Sequence, residues 1–463
     1  MNQNTTIQYN IKEAFNNNWL FFIIATQPIL DIIAFFTFNN TVTIISFITR
    51  SIYLFIIVTY SFISVSKKRL YLLIMLPWIL LSVIHLANSI RTSGGNILDD
   101  TRYLIIVMQL PISAIALTLY AREHTDATSQ LEKGILTAVI IIFISVILSL
   151  LTNTGKSTYE TFGLNGWFTS PNAQSMILST ISPIALYISS KKNDIIYLFI
   201  SLMIFILLFF NGTRACYYSL VAMLFVMLYI LLTASKENKN KCTIIITVIF
   251  IALTLGLYKY SASLTRANDV HKNAKAFKFK ISKNLTRDEA HKIIRKSPLT
   301  KQMVDDLGFE WTYNNMKEHI SAYNLTDNRL VKRMYAKYIY EHSDYLTKIV
   351  GFNHGEIEKY GMDLENDLTA LYYYYGYLGS IVFVAYIIIC AIQAIKLIIR
   401  KPKIIFGSKF VILCFTVVLA IGGAEYSGAL LRKPNANIYL SAIIALLMNY
   451  IYVNSTGENN YEK

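Results

Sequence analysis

Residues 194–233 read DIIYLFISLMIFILLFFNGTRACYYSLVAMLFVMLYILLT, and this stretch decides the fold. Two apolar runs, 194–210 and 214–233, flank the short turn Asn211-Gly212-Thr213. Apart from Asp194 at the start, Arg214 is the only charge in the whole stretch. Each run approaches the roughly 20 residues that a helix needs to cross a hydrocarbon core about 30 Å thick. Inside lipid a backbone must satisfy its own hydrogen bonds, which a helix does and a loop does not. The pair reads as two membrane-spanning helices joined by a tight turn.

The rest of the chain repeats this pattern. Of its 463 residues, 54% are hydrophobic and only 15% charged, against about 45–50% and about 25% in soluble domains. Mean hydropathy is +0.44. A single soluble core stops growing near about 250–300 residues and cannot hide so much apolar surface. Disorder, a disulfide scaffold and a collagen-like fibre are excluded by the same composition. Spans are predicted at 19–38, 42–64, 70–88, 103–120, 134–152, 173–190, 194–210, 214–233, 242–258, 367–395, 410–428 and 435–453. The fold class is all-α: a polytopic transmembrane helical bundle of about 12 spans. Cys216, Cys242, Cys390 and Cys414 fall in or beside apolar segments, without disulfide or metal-ligand spacing, and read as small buried residues.

Loop charge sets the expected orientation. Lys67, Lys68, Arg69, Arg122, Lys133, Lys191, Lys192, Lys236, Lys239, Lys241, Lys396, Arg400, Lys401, Lys403 and Lys409 fall on one side, with Lys12 and Lys463. The opposite short loops hold only Arg91, Arg102, Lys156, Arg214, Arg432 and Lys433. The rich side is expected to be cytoplasmic, with both termini there. The net charge of +15 is then largely topological, and no nucleic-acid partner is implied. Three regions follow: a bundle over 1–258, an extracytoplasmic loop over 259–364 and a second bundle over 365–463. Loops longer than about 60 residues escape the charge rule. Within the loop, Leu330, Val331, Met334, Tyr335, Tyr338 and Ile339 share one helical face over Arg329–His342. Asp327 or Asn328 can cap that helix, which would lie on the bilayer or lid the bundle. The basic stretch 271–301 suggests a second, less regular helix.

Ionisable groups inside spans are costly and mark candidates for function. Asp31 and Arg50 both lie roughly 11 Å deep, at 1.5 Å per residue, and are predicted to pair as a structural bridge. Arg214 opens a span at the surface, either snorkelling or gripping phosphate oxygens with its planar guanidinium. Arg329 offers a second guanidinium. The run Asp363-Leu364-Glu365-Asn366-Asp367 carries three carboxylates at every second residue. Extended, they suit a divalent cation; on a helix, Asp363 and Asp367 share a face and Glu365 does not. Desolvation at the membrane edge is expected to raise such a carboxylate toward the range of a general base. The tyrosines of 372–377 suit the interface or a sugar, and His354 ranks below the carboxylates. P-loop, dinucleotide, H-E-x-x-H and G-x-S-x-G signatures are absent, so no nucleotide substrate is expected.

Taken together, these features resemble the O-antigen ligases and polymerases of bacterial surface polysaccharide assembly. Gln27-Pro28-Ile29-Leu30-Asp31 is similar to the PxLD of Gram-positive members, and Ser170-Pro171-Asn172 to the PN that opens a span. Gly212-Thr213-Arg214 resembles an SRG-type arginine, and Asn328-Arg329 the loop GR. Glu365-Asn366, nine residues and then Gly376-Tyr377-Leu378-Gly379 reproduce the spacing of the ligase signature, with Glu365 in place of its histidine. The resemblance implies a glycosyltransferase of the cytoplasmic membrane that takes a glycan from a polyprenyl-diphosphate-linked oligosaccharide on the extracytoplasmic face. It implies Arg214 and Arg329 on the diphosphate and Glu365 as general base. Arg91, Arg102, His354, Asp363, Asp367 and Tyr375 become candidates for holding diphosphate or sugar. No metal and no cofactor is implied, since the donor carries its own energy. A flippase and a chain-length regulator become possible partners beside the lipid bilayer. The carboxylate favours polymerisation over ligation; a transporter is the reading from a different class, disfavoured because the charges gather at the surface rather than the midplane.

Overall fold

The computed structural model describes residues 18–37, 40–92, 97–159, 162–233, 241–262, 264–265, 268, 287–295, 297–316, 328–427 and 430–456. Apolar runs become long helices: α1 (Asn18–Phe36), α2 (Asn40–Ser64), α3 (Lys68–Thr92), α4 (Ile97–Glu123) and α5 (Asp126–Leu151). A short antiparallel hairpin follows, β1 (Lys156–Tyr159) and β2 (Phe162–Gly166), which the all-α expectation did not include. Then come α6 (Pro171–Lys192), α7 (Asp194–Asn211), α8 (Arg214–Thr233) and α9 (Lys241–Gly256). Among the described residues, ten helices are long and apolar enough to cross a membrane.

The other two expected spans are helices as well, and each departs for its own reason. α9 is apolar but only 16 residues long. α6 is long but rich in Ser and Thr, because it lies inside the bundle rather than against lipid. Several of its hydroxyls bond back within the helix: Thr180 donates to the Met176 carbonyl at 2.7 Å and Ser179 to that of Ser175 at 2.6 Å. Ser219 of α8 reaches Ser179 across the helix interface at 2.6 Å.

The predicted loop carries α10 (Arg287–Ile294), α11 (Pro298–Leu307), α12 (Phe309–Met316), α13 (Asn328–His342), α14 (Tyr345–Val350) and α15 (His354–Glu358). Residues 271–286 and Asp327 lie outside the described residues. Leu330, Val331, Met334 and Tyr335 of α13 are buried as the face predicts, with Tyr338 and Ile339 packed beside them. The face meets protein: α13 packs on α11, on α15 and on the helix that follows the loop. Tyr335 donates to Asp306 at 2.6 Å, and Trp311 to Glu341 at 2.9 Å.

The chain ends with α16 (Asp367–Arg400), α17 (Ser408–Ser427) and α18 (Pro434–Thr456). α18 makes its most extensive contact with α4, and these two are the centre of the bundle. Their apolar windows are 78% and 83% buried, against 11% for α16 and 28% for α3, which leaves the last two facing lipid. α16 has 34 residues, about 51 Å at 1.5 Å each, and so overshoots the hydrocarbon. Gly376, at φ +62°, breaks it into an upper part bearing Asp367 and a lipid-facing part. That break is filled by the loop. A Cβ on Gly376 would lie 2.3 Å from the Ile349 carbonyl oxygen, and one on Gly351 2.0 Å from that of Tyr374. Phe352 donates its amide to the Tyr373 carbonyl at 3.1 Å across the same crossing.

Asp31 and Arg50 do pair, at 2.6 Å, and both are buried. Asn435 donates to the other Asp31 oxygen at 3.0 Å, and Arg50 to Gln27 at 3.2 Å, so α1, α2 and α18 share one knot.

Candidate functional site

The acidic run closes the loop without regular secondary structure and enters α16 at Asp367. Two of its carboxylates share one cation and the third takes two others. Asp367 is fully buried; Arg432 donates to it through Nε at 2.9 Å, and the Leu430 and Leu431 amides donate at 2.7 and 2.8 Å. Arg432 also reaches Asp363 at 2.9 Å through a terminal nitrogen. Asp363 and Asp367 therefore share a partner, although residues 362–366 are not helical and no common helical face brings the two together. Among the described residues no three His, Cys, Asp or Glu side chains are grouped to hold a metal ion.

Glu365 turns the opposite way, toward α13. Arg329 donates through Nε to one carboxylate oxygen at 3.0 Å, and Lys332 through Nζ to the other at 2.7 Å. Arg329 and Lys332 are three apart on α13, so one helical face presents both. Glu365 and Arg329 are about one-third exposed, at 31% and 32%, which leaves the cluster open to a ligand. Partial burial pushes the Glu365 carboxyl up, but the hydrogen bonds from Lys332 and Arg329 outweigh it and hold it below the usual range. This corrects the expected rise toward a general base: desolvation is present, and the two cations overcome it. At Asp363 partial burial is likewise outweighed, by the His354 hydrogen bond and the Arg432 charge, which hold it at about 2.

The other candidates lie along the seam between loop and bundle. His354 stacks on Tyr103 at 4.4 Å, gives its amide to Asp100 at 3.1 Å, and has its ring between Asp363 and Glu358, each at 3.5 Å. Arg91 pairs with Asp344 at 2.7 Å and also donates to Asn88 and Thr347. Tyr375 is buried beneath the His85 ring at 4.9 Å; the exposed tyrosine of the run is Tyr377. Arg102 lies over the Phe47 ring at 5.4 Å. Asp363, Asp367, His354, Arg91 and Tyr375 thus join the loop to the bundle, while Glu365 and Arg329 face outward together.

Arg214 stands at the first turn of α8, exposed, and among the described residues no hydrogen bond or ion pair joins it to Glu365 or Arg329. The turn before it is tightly held. Gly212, at φ +88°, packs against Gly163 and Ala262, Thr213 caps α8 through the Cys216 amide, and Asn211 donates to Gln174 at 3.1 Å. From α6, Met176 touches Gly423 of α17, and α17 in turn accepts from Asn366 at the Glu425 carbonyl, 2.7 Å. Arg214 is therefore connected to the acidic run through packing rather than by contact.

Lys332, Arg432, His85 and Asp100 were missed as site residues in the sequence. The i, i+3 relation to Arg329 was available for Lys332. His85 and Asp100, paired at 3.1 Å and buried, are ionisable groups in long helices and could have been flagged on that ground. Arg432 carried no local signal beyond its charge.

No curated protein matches this chain. A family model described as "O-antigen ligase like membrane protein" matches residues 12–454, nearly the whole chain, and residues 18–456 hold the ten candidate spans and the half-open Arg329–Lys332–Glu365 cluster. The chain belongs to the O-antigen ligase-like family of membrane proteins.

Proposed function

We propose that this protein transfers a glycan from a polyprenyl-diphosphate donor to an acceptor hydroxyl on the extracytoplasmic face of the cytoplasmic membrane, building a surface polysaccharide. Family membership supports a membrane glycan ligase or polymerase role. The observation that supports the finer reading is the Arg329–Lys332–Glu365 cluster: two cations of α13 and a carboxylate, with Glu365 and Arg329 about one-third exposed. Cations so placed suit a leaving diphosphate, and a carboxylate beside them suits the proton of the attacking hydroxyl. Arg214, exposed where α8 begins, is a further guanidinium for the donor's phosphates. The acceptor oxygen attacks the anomeric carbon, the bond from that carbon to the phosphate oxygen breaks, and the diphosphate leaves with the electron pair. Energy comes from the donor, and no nucleotide is consumed. A flippase that delivers the donor and a regulator of chain length are the expected partners.

Glu365→Gln should abolish polymer while the protein still inserts in the membrane. Unchanged chain length would remove Glu365 from the reaction. In a deletion strain, a single repeat on the lipid carrier marks a polymerase, and a finished but unattached chain marks a ligase.

A further inference from the structure

We propose that Arg329 and Lys332 form the binding clamp for the donor's diphosphate, and that in the empty protein the Glu365 carboxylate occupies this clamp as a placeholder that the diphosphate must displace. The proposal rests on the function proposed above and adds to it an order of events, in which the diphosphate enters by displacing Glu365.

The geometry is that of a bound anion. Each carboxylate oxygen has its own cation, Arg329 at 3.0 Å and Lys332 at 2.7 Å, as two oxygens of a phosphate would. Both cations project from one face of α13, and they keep their spacing when the carboxylate leaves. Glu365 and Arg329 are about one-third exposed, and Lys332 is 15% exposed. The comparable Arg432 is only 6% exposed and is locked between Asp363 and a fully buried Asp367, which leaves it no room to exchange partners. The Asp31–Arg50 pair is buried in the same way. Among the ion pairs at this end, the Glu365 cluster combines two cations on one carboxylate with an open side.

Exchange has a chemical consequence. While paired, Glu365 is a poor proton acceptor, because accepting a proton would forfeit two charge-assisted hydrogen bonds. When the diphosphate takes both cations, the carboxylate is left partly desolvated and without its partners, and it becomes the stronger base. Glu365 then takes the acceptor's proton, and Arg329 and Lys332 hold the departing diphosphate. The base is thereby armed only when donor is present.

The test uses the full chain in nanodiscs and farnesyl diphosphate as probe, with glycan transfer measured separately. Glu365→Gln removes the competing anion and should bind the probe about tenfold more tightly than the wild type. Lys332→Met should lose most of that binding in either background, and Lys332→Arg should restore it. Should Glu365→Gln fold poorly, Glu365→Asp, which withdraws the charge by one methylene, must bind more tightly than the wild type by a smaller factor. Equal or weaker binding in the folded carboxylate variants overturns the placeholder. A wild type that binds the probe with this pattern and yet transfers no glycan from a lipid-linked donor overturns the proposed function instead.

Discussion

Asp367 and Glu365 stand two residues apart, and replacing each by its amide should have opposite consequences. Asp367 is fully buried and accepts from Arg432 and from two backbone amides, at 2.7–2.9 Å. Asp367→Asn takes from Arg432, itself 6% exposed, the buried carboxylate that its Nε holds, and places an amide nitrogen among donors. Breaking a buried pair from one side costs about 3–5 kcal/mol. Glu365→Gln removes two part-exposed pairs worth about 0.2–1 kcal/mol each, so at most ~2 kcal/mol. The assay is unfolding by SDS in mixed micelles, followed by tryptophan emission, with transfer activity measured on the same preparations. Asp367→Asn should shift the transition strongly, and whatever activity it retains should track its folded fraction. Glu365→Gln should unfold near the wild type and be inactive. Equal destabilisation by the two substitutions, or a stable Asp367→Asn, would refute the division between a structural and a chemical carboxylate.

Arg50→Met should be more damaging than its double variant with Asp31→Asn, because the single change strands a charge; the same SDS titration should give a coupling of about 0.5–3 kcal/mol. Gly376→Ala puts a Cβ 2.3 Å from a carbonyl oxygen at φ +62°, and should collapse the yield of monodisperse protein on gel filtration, whereas Gly422→Ala, whose Cβ meets no described atom within 4 Å, should not. Asp363 is held at about 2 against an ordinary 3.8, facing His354, Arg432 and, more distantly, Lys433. A depressed carboxyl stabilises fully above its unfolded value and loses that contribution as pH falls through its folded one. Hydrogen exchange over residues 352–366, corrected for intrinsic rate, should therefore stay slow down to about pH 4 and speed up between there and about pH 2.

The membrane helices were legible because burial in lipid is a demand on composition, and so was the pairing of Asp31 with Arg50, since two opposite charges at equal depth have few alternatives. α13 was legible from its apolar face, though not the surface it covers, which belongs to residues far away in the chain. α6 was found by its length, yet its Ser and Thr content marks a helix surrounded by protein, a distinction that a hydropathy threshold blurs. Arg432 was counted only as a topological charge. Its role depends on Asp363 and Asp367 arriving from the far side of two long helices, and no local pattern announces that. The pKa of Glu365 was misjudged for a related reason: burial is readable from position, while the cations that overrule it come from another segment.

The nested glycines carry a mechanical consequence. At Gly351 and Gly376 two stretches of main chain meet with only hydrogen atoms between them, so neither can slide past the other. The segment between α14 and α15 is thereby hooked into the break of a lipid-facing span, and a shift of either segment at this crossing would have to carry the other with it.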